Sequence, residues 1–161
     1  MTVLTAFTPI TVAPECRINM SAFSDRILLV DVSKVSMTDE TISDGLGHRE
    51  INVEGTIIEV IRGEQSNEKF HGSKSLLRVV DAKAVEASRG VGSLEVFYAV
   101  QDDQSGISEC KEDKRYVVCY PGSDSRFQDV FYAEVAKDND DWRKKILPRK
   151  DPDAEKPPRM K

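Results

Sequence analysis

An all-β fold, a small closed or partly open β-barrel, is what the 161-residue sequence predicts, and three observations predict it. Short stretches rich in branched and aromatic residues recur at 26–35, 49–63, 76–80, 94–100, 114–120 and 128–136, separated by polar, glycine-bearing stretches. At most one short segment, beginning at Asp138, reads as a helix. The longest β-type stretch also changes its buried face: Ile51 and Val53 alternate with Glu50, Asn52 and Glu54, whereas beyond Gly55 the apolar positions are Ile57, Ile58, Val60 and Ile61. A strand that bends or bulges at a glycine serves two sides of a curled sheet.

The chain divides into an arm (1–24), a barrel domain (25–137) and a short helix with a basic, proline-rich tail (138–161). Pro9 and Pro14, among Thr and Val, make the arm extended rather than helical, and Val3, Leu4, Phe7, Ile10 and Val12 suit it to cover a sheet edge, its own or a neighbour's. Residues 26–35 hold a continuous apolar run, branched and too short for a helix, so a strand is expected. Residues 36–48 are polar, contain Gly45 and Gly47, and read as a loop before the bent strand. Residues 64–73, with Gly72, read as a hairpin connection to the strand at 76–80, and 82–87 fit either more strand or a helical turn. A strand at 94–100 and a polar loop at 101–108 follow, then a strand at 114–120 stopped by Pro121-Gly122, and a last strand at 128–136. D-N-D-D-W-R-K-K-I-L-P then starts a helix, with Asp138 or Asn139 as cap, acids in the first turn, Lys144 and Lys145 later, and Pro148 ending it. Residues 151–161, with three prolines, are expected to be extended or disordered.

This length suffices for one core without staples. The net charge of −5 is unevenly spread: residues 143–161 carry eight Lys/Arg against three acids, so the tail stands at +5 and the rest at −10. Such a tail either folds against its own acidic body or contacts an acidic partner. Cys16, Cys110 and Cys119 form an odd set without metal-ligand spacing; Cys110 and Cys119 are near enough in sequence to bridge, while inert thiols suit a reducing compartment. There is no membrane-length apolar run and no basic leader, so an intracellular location away from membranes is expected. His48 and His71 stand alone, no G-x-S-x-G occurs, and D-N-D-D lacks the glycine and distant Glu of a calcium loop. A buried, inert Cys119 completes the expectation of a non-catalytic protein with no catalytic, cofactor or metal residues.

The stretches R-E-I-N-V-E-G-T-I-I-E-V, S-L-L-R-V-V-D-A and E-D-K-R-Y-V-V-C-Y-P-G together resemble the oligonucleotide/oligosaccharide-binding (OB) barrel. In that family a long first strand kinks at a glycine, here Gly55; a second ends at an acid, here Asp81; and a late strand follows a polar turn, here 114–122. The resemblance implies a binding or assembly module acting through protein–protein contacts, with the arm and tail touching partners. Alternatively, it implies a single-stranded nucleic-acid binder using exposed rings and cations. The candidate contacts under either branch are Arg78, Phe97, Tyr98, Lys114, Arg115, Tyr116, Tyr120, Arg143, Lys144 and Lys145. The acidic body opposes nucleic acid, because phosphate binding draws on a positive groove. Paired rings such as Phe131-Tyr132 send one to each face of a strand. Cys16 followed by A-F-S-D-R-I-L-L-V-D-V also resembles netrin-like, metalloproteinase-inhibitor-type barrels, which would imply protease inhibition, although the family's further cysteines are missing.

Overall fold

Four consecutive apolar side chains on a strand point alternately to opposite faces, so the run Ile27 to Val30 requires cover on both. In the computed structural model, which describes residues 13–64, 67–89, 104–125, 127 and 129–150, this run lies in β1 (Ser24–Met37), a central strand of a six-stranded antiparallel sheet. β1 pairs with β3 (Leu46–Arg62) on one side and β5 (Arg115–Pro121) on the other. β2 (Thr41–Ser43) and β4 (Lys69–Val79) pair with β3, and β6 (Phe131–Val135) with β5. The sheet curls into a half-barrel, the partly open form of the predicted all-β barrel.

On the concave side Leu28, Val30 and Val32 pack with Ile51, Val53, Phe70, Tyr116, Val118 and Tyr132. Ile27 and Leu29 face the other way and pack with Val117, Cys119, Phe131, Ile18, Met20 and Trp142. Each fully buried aliphatic chain here is worth roughly 1.5–3 kcal/mol relative to exposure. The second layer comes from the two ends of the described chain, the 3₁₀ helix Pro14–Phe23 and the 3₁₀ helix Asp141–Lys145. Arg62 ties these ends together: Nη1 donates to the carbonyls of Ser21 and Ser24 (2.6 and 2.9 Å), and Nη2 to that of Leu147 (2.7 Å).

Gly55 marks a close approach of the long strand to β1. A Cβ there would come within 3.0 Å of the Asp31 carbonyl oxygen on β1, so only glycine lets the two backbones approach this closely. Beside it β1 carries an extra residue, Ser33, between Val32, opposite Gly55, and Lys34, opposite Glu54. The change of face comes a little later than the sequence places it. Ile58 and Ile61 are the unmatched residues where the register with β1 shifts, and across them the apolar side chains pass from the concave cluster (Ile57) to the outer one (Ile61).

Four expectations are corrected. Residues 64–73 are not all connection, because β4 begins at Lys69, ahead of the strand expected at 76–80. The described part of the arm is not extended: Pro14 opens a 3₁₀ helix that buries Ile18 and Met20. Residues 36–48 are not a simple loop but hold the end of β1, all of β2 and the start of β3. The C-terminal helix is a single short 3₁₀ segment preceded by Asp140, which makes no side-chain cap bond; Asn139 Oδ1 instead accepts from the Asp141 N–H (3.2 Å). The open choice at 82–87 resolves as α1 (Ala82–Arg89), and Asp81, which lies past the end of β4, has its Oδ1 accepting from the Lys83 and Ala84 N–H groups at 3.1 and 3.3 Å. The expected strand at 94–100 and the residues 1–12 and 151–161 lie outside the described residues. All three cysteines are free thiols, so Cys110 and Cys119 are not bridged.

Candidate functional site

β4 and β6 are the sheet ends that the curl brings together. Phe70 of β4 meets Tyr132 of β6 edge-on, with ring centroids 6.2 Å apart and planes at 75°. The Tyr132 hydroxyl reaches over Gly72, where a Cβ would come within 3.0 Å of it. Lys74 Nζ lies 3.1 Å from the Asp129 carboxylate, which hangs from the chain between β5 and β6. The seam leaves a cleft of about 320 Å³, lined also by His71, Ser105 and Tyr120.

Among the predicted contacts, the arginines are already matched by carboxylates. Arg78 on β4 donates to both oxygens of Glu40 (Nη2 at 2.5 Å, Nε at 3.2 Å), and Glu40 also faces Arg49 at 3.6 Å. These cations hold the Glu40 carboxyl below the usual range, with the Arg78 hydrogen bonds the larger cause. Arg115 makes the same fork on Asp31 (2.6 and 3.0 Å), lowering the Asp31 pKa. Arg143 grips Glu59 with two bonds of 2.8 Å and lies over the Trp142 ring, 4.6 Å from its centroid. Tyr116 is a core residue, contrary to its expected place on the binding face. It is buried, its hydroxyl accepts from the Lys111 N–H (2.7 Å), and burial pushes its pKa up to about 12. Tyr120 is half-buried on the seam with the Arg26 guanidinium 3.8 Å from its ring centre. Lys114, Lys144 and Lys145 are exposed, and Phe97 and Tyr98 lie outside the described residues. The seam therefore gathers Tyr120 with Lys74 and Asp129, which sequence reasoning missed, while Arg78, Arg115 and Arg143 stand on separate pairs.

Among the described residues no three of His, Cys, Asp and Glu converge as a metal-binding group, and His48 and His71 are both exposed. Burial pushes the Cys119 thiol up to about 12, far from thiolate reactivity at neutral pH.

A second concavity lies on the other side of β6. Trp142, 5% exposed, lines it, and its indole N–H is a buried donor with no acceptor among the described residues. A donor stranded in this way costs roughly 1–3 kcal/mol. The sequence carried one signal for it, since Trp142 is the chain's single tryptophan, set among acids beside Asp140 and Asp141. No protein-family model matches the chain, and no curated protein matches it at a significant level.

Proposed function

We propose that the chain is a non-catalytic, OB-like protein-binding module that works inside a larger assembly. Its connectivity supports the OB-like part: β1, β3 and β4 form a meander, α1 follows, and β5 and β6 return to the far side of β1, a five-stranded, partly open Greek key with β2 as an extra strand. On this reading the family's first strand is β1, and the strand bent at Gly55 is its second, not its first as the sequence resemblance has it.

The observation that carries the protein-binding part is the balance of charge over the candidate face. Arg78 and Lys74 each meet a carboxylate, and both acids, Glu40 and Asp129, come from the connections flanking that face; Arg115 meets Asp31 on the opposite face of the sheet. Of the candidate rings described, Tyr116 is in the core and Tyr120 is half-covered by Arg26. A polyanion would have to displace these internal partners, whereas a protein surface with its own mixed charges would not.

The test is photo-crosslinking in cells from a photoreactive phenylalanine at position 120 or a photoreactive lysine at position 114, paired with titration of labelled single-stranded oligonucleotides at low salt. Discrete protein adducts and a flat titration are expected. Oligonucleotide binding that weakens linearly in log salt, with no protein adduct, would replace the reading with single-strand nucleic-acid binding.

A further inference from the structure

The outer edge of β6 borders a groove. Tyr132 donates its N–H away from β5, to the Ser105 carbonyl (2.7 Å), so strand alternation turns the main-chain groups of Glu134, and then of Ala136, toward the same open side. There two clefts, of about 290 and 410 Å³, meet at Pro14 and Glu134, which line both. One ends at the ion pair of Arg17 with Glu109 and the other at Trp142. The floor at the Trp142 end is apolar, with Ile18 and Val135, and the rim carries Glu15, Glu134 and Asp141 against Lys145.

We propose that this groove takes an extended, lysine- or arginine-bearing segment of a partner protein, laid along β6 as an added strand. Its main chain bonds to Glu134 and Ala136, one of its carbonyls accepts the Trp142 indole N–H, and its cation sits among Glu15, Glu134 and Asp141. Three features converge on that chemistry: among the described residues nothing pairs with the outward main-chain groups of Glu134 and Ala136, the Trp142 indole N–H has no acceptor, and at the Trp142 end three carboxylates stand against one lysine. The inference rests on the protein-binding reading but uses a different surface, so crosslinks from positions 114 and 120 stand or fall separately.

Trp142 is the chain's only tryptophan, so its emission reports on the groove directly. The full chain is titrated with a blocked pentapeptide Thr-Lys-Val-Lys-Thr and with its counterpart Thr-Glu-Val-Glu-Thr. A saturable change with the lysine peptide is expected, about tenfold weaker with the glutamate peptide and about tenfold weaker for Glu134→Lys, an exposed substitution that leaves the core alone. Trp142→Phe, followed by calorimetry, is expected to weaken the lysine peptide while the melting temperature stays within a few degrees. No saturable change, an equal response to both peptides, or full binding by Glu134→Lys overturns the proposal. So does tighter binding of a peptide with the sequence of residues 1–12, which would assign the groove to the chain's own uncharged arm.

Discussion

Replacing Gly55 by alanine tests the account of the close approach most directly. The added Cβ would fall within 3.0 Å of the Asp31 carbonyl oxygen, and the Asp31 carbonyl carbon and Val30 Cγ1 stand at 3.0 and 3.1 Å. The oxygen belongs to the main chain of β1, so the two strands must separate by several tenths of an ångström where Val32 faces Gly55 and Ser33 already interrupts the register. Overpacking of this kind costs about 1–3 kcal/mol, and the lower chain entropy of alanine in the unfolded state returns about 0.4–1 kcal/mol. A net loss of about 1.3 kcal/mol is expected, which for a chain of this size lowers Tm by about 3–5 °C. Gly47→Ala is the control. Its Cβ would meet the carboxylate of Glu40, with Cδ at 2.6 Å, and that side chain can swing away. Urea unfolding of both variants, compared at unchanged m-value, gives the answer. A Gly55→Ala midpoint equal to wild type, or above that of Gly47→Ala, would refute the argument that backbone approach selects the glycine.

The ion pairs predict acid sensitivity: Asp31, Glu40 and Glu59 are held below the ordinary carboxylate range by Arg115, Arg78 and Arg143, so they stabilise the fold fully above the unfolded-state values of about 3.9–4.3 and lose that contribution as pH falls through the lower folded values. Urea midpoints between pH 7 and 3 should therefore drop steeply below about pH 4.5, and less so for Asp31→Asn; parallel curves would remove the Asp31 contribution. Tyr116→Phe leaves the Lys111 N–H without its acceptor and should cost about 1 kcal/mol by chemical denaturation, with no loss if that bond does not persist in solution. Thiol titration at pH 8 should label Cys16 alone in the native protein and all three cysteines after unfolding, because Cys110 and Cys119 are buried; rapid native labelling of more than one thiol would contradict the core.

The parts of the fold that could be read from the sequence are those where one physical demand acts locally. The continuous run Ile27 to Val30 announces a strand covered on both faces, and Phe131-Tyr132 splits as expected, Phe131 to the outer cluster and Tyr132 to the concave one. β2 was missed because all three of its residues are exposed, so no alternation marks it. A signal was nevertheless present in Asp44-Gly45, whose φ values of 52° and 84° are the two positive angles of a type I′ hairpin turn. Pro14 misled in a similar way: taken as a helix breaker, it occupies the first position of a helix, where its missing N–H costs nothing. The candidate site was the least legible part, because its chemistry depends on long-range partners. Arg115 and Asp31 are 84 positions apart, Arg78 and Glu40 are 38 apart, and nothing local in the sequence reveals that these cations are already matched.

Those pairings also change what the charge asymmetry means. Read along the sequence, a basic tail on an acidic body either folds against that body or waits for an acidic partner. In the fold, the described part of that tail lies on its own body. Arg143 holds Glu59, Arg149 reaches both Asp25 and Asp124, and the Lys150 N–H donates to the Ala22 carbonyl at 2.6 Å. Asp25 and Ala22 flank the junction of the first 3₁₀ helix with β1, the same junction that Arg62 clamps to Leu147. The two ends of the described chain are therefore fastened to each other and to the outer face of the sheet, where they cover Ile27, Leu29 and Val117. An exposed surface pair contributes little alone, but here several converge on segments that also bury Ile18, Met20 and Trp142, so charge selects the docking and apolar burial holds it. With the basic segment at 143–150 acting as the body's own counter-charge, the rim beside β6, where Glu15, Glu134 and Asp141 stand against Lys145, suits a positive partner better than the tail suits an acidic one.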